Sequence, residues 1–118
     1  MIAGKPLQAW LDRADELGAA GRFFDAHEEL EIAWKSAEGE TKILLQGLIQ
    51  VAAGLHRLHH EPGKMEGAFY LLDRGLEKLR KTRTLLSTDS LAALEAALEN
   101  VRTSGTVPDG LRFGLKSL

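Results

Sequence analysis

Apolar side chains recur at three- and four-residue intervals along most of the chain, the spacing that gathers them on one face of an α-helix. Five segments carry the pattern. Leu7, Trp10, Leu11, Ala14 and Leu17 stripe a first helix that Pro6 can open and Gly18 or Gly21 can stop. A second runs from about Arg22 to Ala37, with Phe23, Leu30 and Trp34 on one meridian, Ala26 and Ala33 beside them, and Gly39 to end it. Thr41 can cap a long third helix through Leu44, Leu48, Val51, Leu55 and Leu58 to a turn at His59-His60-Glu61-Pro62-Gly63. Its apolar arc covers about half the circumference, so it belongs at the centre of a bundle.

A fourth helix, about Lys64 to Thr84, buries Met65, Phe69, Leu72, Leu76 and Leu79 and turns Arg74, Lys78 and Lys81 outward. Ser87 or Thr88 can cap a fifth, where Leu91, Leu94, Leu98 and Val101 make a packing seam. Beyond Thr103 the pattern changes: Gly105, Pro108, Gly110 and Gly114 exclude another good helix, and Leu111, Phe113 and Leu115 alternate as an extended segment does. This tail should lie over the bundle or on a second subunit. The expectation is an all-α fold, a single compact bundle of about five helices with an irregular C-terminal tail. It forms one helical domain over 1–118, with the fifth helix at about 88–102 and the tail at 103–118.

Gly47 and Gly54 inside the third helix, and Gly67 and Gly75 inside the fourth, each cost about 0.8–1 kcal/mol relative to alanine. Close approach of two backbones in an antiparallel hairpin would compensate. Room for a ligand or a partner helix is the alternative.

A length of 118 residues with 44% apolar and 27% charged residues suits one core. The formal charge of -2 argues against a protein whose task is neutralising nucleic-acid phosphates. The absence of cysteine removes disulfides, thiolate metal sites and cysteine nucleophiles, and fits a reducing compartment, so the cytoplasm is the expected location. No signal-peptide pattern opens the chain and no uncharged stretch is long enough to span a bilayer, so no membrane partner is expected. Sparse aromatics and an apolar tail make a homo-oligomer a candidate assembly. There is no P-loop, no G-x-G-x-x-G and no G-x-S-x-G.

Polar residues interrupt the faces that should be buried. On the second helix His27 lies within the arc of Phe23, Leu30 and Trp34, Glu31 falls between His27 and Phe24, and Glu28 sits at the margin. A carboxylate there needs a partner, and His27 one turn earlier is the nearest. On the third helix His56 projects between Leu45 and Ile49 with His60 one turn later, while Gln46, Gln50 and Arg57 form a separate polar stripe. If the two helices meet, His27, Glu31 and His56 converge. Three chemistries fit: a hydrogen-bonded polar core that fixes helix register, a divalent metal site from the His27/Glu31 and His56/His60 pairs, or acid/base chemistry on a small substrate. His27-Glu28-x-x-Glu31 is not the zinc-protease H-E-x-x-H, because its last position is Glu.

The run Gly21-Arg22-Phe23-Phe24-Asp25-Ala26-His27-Glu28-x-x-Glu31-x-x-Trp34, then Leu45-Gln46-Gly47-Leu48-Ile49-Gln50-Val51-Ala52 and Gly67-Ala68, resembles the domain of unknown function 309 family over about residues 17–80. The resemblance implies a small all-α protein and maps the family's motif positions onto His27, Glu28, Glu31, Trp34, Gln46, Gly47 and Gln50. It implies no reaction. It also sets Gln46 and Gln50 at odds with the wheel, since it raises the prospect of a third helix buried all round. Gly21 to Ala26 echoes a tetratricopeptide turn too, but its nearest echo at Gly67-Ala68 has the wrong period and there is no third copy.

The expected function is a small intracellular binding or interaction domain for a small molecule or a protein. Its pocket would be formed by His27, Glu28, Glu31, Trp34, Gln46, Gln50 and His56. The alternative is a metal-assisted hydrolase in which His27, Glu31, His56 and His60 are the candidate ligands of a divalent ion and Glu28 handles the proton of a bound water.

Overall fold

A computed structural model describes residues 1–61 and 63–118; the expected punctuation at Pro62 lies outside the described residues. Five α-helices follow in order: α1 (Leu7–Ala19), α2 (Phe23–Ser36), α3 (Gly39–His60), α4 (Met65–Lys81) and α5 (Thr88–Ser104), with a 3-10 turn at Arg83–Leu85. Among the described residues there are no strands, only isolated bridges between Ile2 and Lys5 and between Leu86 and Ser117. Among the described residues no helix is long and apolar enough to cross a membrane.

Each helix packs on the next, and α3 takes the centre because its wide apolar arc serves two neighbours, α4 above all and then α2. Leu44, Leu45, Leu48, Val51, Ala52 and Leu55 on α3 are fully buried, against Phe23, Leu30 and Ala33 from α2 and Leu72 and Leu79 from α4. Gly47 and Gly75 bring the α3 and α4 backbones together, since a Cβ on Gly75 would lie 2.5 Å from the Gly47 carbonyl oxygen. Backbone approach therefore explains these glycines.

Two boundaries and one burial assignment differ from the sequence reading. Gly39, at φ +60°, opens α3 instead of closing α2, whose cap is Ala37. Thr41 accordingly falls inside the first turn, and no side chain caps α3. Met65 is 37% exposed because it begins α4 at the rim, where its methyl group lies against Gly105. The cap of α5 is as expected: the Ser87 hydroxyl accepts a hydrogen bond from the Ser90 amide at 3.2 Å, and the Ser90 hydroxyl donates to the Ser87 carbonyl at 2.9 Å. Ser87→Ala should lower stability by about 1 kcal/mol in urea denaturation, the usual cost of losing such a cap.

The tail folds back over its own bundle. Phe113 and Leu115 enter the core. The segment is tied down by the Lys116 amide donating to Ser90 Oγ (3.1 Å) and the Ser117 amide donating to Gln8 Oε1 (2.7 Å). Gly18 makes room for it, because a Cβ there would stand 3.2 Å from the Phe113 ring.

Candidate functional site

The two phenylalanines that begin α2 divide the work between core and surface. Successive helical residues lie about 100° apart, so Phe23 turns inward and is 2% exposed while Phe24 stands at the surface, 50% exposed. The His27 ring stacks on Phe24 with centroids 5.8 Å apart, and His56 of α3 lies tilted against Phe24 at 5.4 Å. His56 meets His60 one turn on at 4.5 Å, His60 meets His59 at 5.4 Å, and His59 stands edge-on to Phe23 at 6.0 Å. All four histidines of the chain thus gather where α2 begins and α3 ends.

Phe24, His27, Ala53, His56, Arg57 and Leu71 line a groove of about 320 Å³ among α2, α3 and α4. His27 Nε2 is 3.3 Å from Glu31 Oε1, so the carboxylate favours the proton on Nε2, while Nδ1 is buried with no hydrogen-bond partner among the described residues. Burial, reinforced by His60 beside it, lowers the His56 pKa. His59 faces a different cavity, of about 220 Å³, between the end of α1 and the tail at Val107 and Pro108.

The expected inward pair is therefore only half inward. His27 is a quarter exposed, but the Glu31 side chain is 46% exposed and sits at the rim, where water spares it the cost of desolvation. Glu28, one residue past His27, projects towards α1 into a separate depression with Arg13, Arg22, Asp25 and Glu29. Trp34 lies two turns along α2, partly buried, with its Nε1 buried and without a hydrogen-bond partner among the described residues and the Lys42 ammonium 4.4 Å from its ring centroid. Gln46 is exposed, and Gln50 Oε1 accepts a hydrogen bond from Lys78 Nζ at 3.0 Å, where burial lowers the lysine pKa. The wheel holds: Gln46, Gln50, Ala53 and Arg57 share the outer face of α3, so α3 is not buried all round. The metal candidates fall into two pairs, His27 with Glu31 and His56 with His60. Among the described residues no group of three or more His, Asp or Glu side chains is placed to hold a metal ion.

A family model described as Domain of unknown function (DUF309) matches residues 11–71, just over half of the chain. The chain belongs to the DUF309 family. No curated protein and no solved structure shows significant similarity to it. The DUF309 match begins inside α1 and ends within α4 at Leu71, so it takes in every residue that lines the groove and leaves α5 and the tail outside.

Sequence reasoning missed three residues of consequence. Phe24 enters the sequence reading only as a landmark beside Glu31 and within the family-like run, and Leu71 does not enter it, yet both line the groove. Asp15, 6% exposed, was not singled out, although Leu11, Asp15 and Gly18 share one helical face and a carboxylate between a leucine and a glycine was the available signal.

Proposed function

We propose that this DUF309 protein is a small-molecule binding domain whose ligand occupies the groove between α2, α3 and α4. The carrying observation is Phe24, a large apolar ring half open to water and in contact with two imidazoles, lining a concavity of about 320 Å³. That size falls at the lower end of small-molecule sites, which favours a compact ligand over a protein partner. The metal-assisted hydrolase is not carried further, because its proton-handling residue, Glu28, faces α1 and not the histidines.

The test is a titration with 3-phenylpropan-1-ol, an apolar and uncharged probe, followed by ¹H–¹³C NMR. At about 0.3 kcal/mol per heavy atom a probe of about ten atoms should bind in the millimolar range. Shifts confined to Phe24, His27, Ala53, His56 and Leu71, and lost in Phe24→Ala, are the expected result. Phe24 is exposed enough that the variant should keep its stability. Shifts centred on α5 and the tail, or none at saturation of the probe, would overturn the reading.

A further inference from the structure

Resting on the groove described above, we infer that its ligand is a compact apolar carboxylate, held at the carboxyl end by Arg57 and at the other by Phe24, Ala53 and Leu71. Arg57 is the groove's cation. Arg13, Arg22, Arg74, Arg80 and Arg102 each stand against a carboxylate; among the described residues Arg57, Arg83 and Arg112 have none within ion-pair distance, and of these three Arg57 alone lines the groove. Glu31 and Glu61 at this end of the bundle are engaged elsewhere, Glu31 with His27 and Glu61 with Lys64 at 3.6 Å.

Gly67 explains where the guanidinium lies. A Cβ on Gly67 would stand 2.9 Å from Arg57 Nη1 and touch nothing else, whereas a Cβ on Gly47, Gly54 or Gly75 would meet the facing helix backbone. The glycine in α4 therefore leaves room for Arg57, one helical turn before Leu71 on the same face of that helix. A planar guanidinium held against a helix presents a fork of donors that matches a carboxylate with two parallel hydrogen bonds. His27 and His56 add polar contacts, and the remaining lining is hydrocarbon and aromatic. One guanidinium over an apolar floor suits one negative charge on an apolar body.

Three probes of one shape separate the charge from the shape: 3-phenylpropanoate, 3-phenylpropan-1-ol and 3-phenylpropylamine, titrated into the whole protein by NMR. The acid should bind about ten-fold tighter than the alcohol, the scale of a hydrogen-bonded charge pair, and the amine more weakly than either. Arg57→Gln should erase the preference for the acid while leaving alcohol binding within about two-fold. Gly67→Ala supplies an independent arm, because its methyl group displaces Nη1 while a helical alanine replaces a glycine. It should raise the melting temperature and weaken acid binding several-fold. Equal binding of acid and alcohol, or an acid preference that survives in both variants, would overturn the inference and leave the groove intact. Binding of none of the three would remove the groove as well.

Discussion

Gly75→Ala should cost about 2 kcal/mol net and lower the urea midpoint without changing the slope. In an isolated helix the substitution would gain about 1 kcal/mol of propensity. Here the new Cβ would fall 2.5 Å from the Gly47 carbonyl oxygen, 2.6 Å from a Val51 methyl and 3.0 Å from the Val51 amide nitrogen. Two of those three atoms belong to the backbone of α3 and have no rotamer to escape into. The helices must separate, and overpacking of this kind costs about 1–3 kcal/mol or more. Gly67→Ala, eight residues earlier on the same helix, is the matched control: its sole close neighbour is the tip of a flexible arginine, so stability should rise. Opposite signs from one helix would show that contact, not propensity, sets the outcome. A Gly75→Ala protein as stable as the parent would mean that α3 and α4 do not approach this closely. Because Ala53, His56 and Arg57 ride on α3 and Leu71 on α4, separating the helices should also weaken the binding of 3-phenylpropan-1-ol.

The same contrast shows what the sequence makes legible. The helices, their order and the central place of α3 follow from local periodicity, because each helix must bury its stripe against a neighbour. The glycines announce that something comes close, but not what: Gly75 admits a carbonyl oxygen and Gly67 a guanidinium, and the two look alike in the sequence. His27 and His56 are legible as polar interruptions of apolar faces, and the structure brings both against Phe24. Glu28 and Trp34 are not brought with them. A helix turns about 100° per residue and rises about 1.5 Å, so a neighbour in sequence faces another way and a residue two turns on lies about 10 Å off. The boundary at Gly39 turned on a backbone angle. A glycine at positive φ serves equally to end one helix or to begin the next, and the two-residue connection between α2 and α3 lets it do the second.

Asp15→Ala should cost about 2–3 kcal/mol and release the C-terminal tail, an effect that helix periodicity alone would not foresee. Asp15 Oδ1 accepts hydrogen bonds from the Phe113 amide at 2.9 Å and the Gly114 amide at 3.1 Å, across 98 residues of chain. Alanine would leave the buried Phe113 amide without a partner, which alone costs about 1–3 kcal/mol, and would loosen Phe113 and Leu115 from the core. Asparagine keeps the oxygen acceptor and sheds the buried charge, so Asp15→Asn should lose far less, and the pair of variants separates the hydrogen bonds from the ionisation. Burial raises the Asp15 pKa above its ordinary 3.8, outweighing the two amide donors and the nearby Lys116 and Arg112. The folded protein therefore holds this proton more tightly than the unfolded chain. The resulting contribution is complete below the ordinary value and is lost as pH climbs through the raised one. Asparagine does not titrate there. The stability of the parent minus that of Asp15→Asn should accordingly fall as pH rises from about 4 and level off once the carboxyl is ionised in both states. Urea midpoints of the two proteins across that range read this difference directly, with the other carboxylates cancelling to first order. A difference that grows with pH would mean that the amide donors outweigh burial, and that the tail is clamped by a favoured carboxylate.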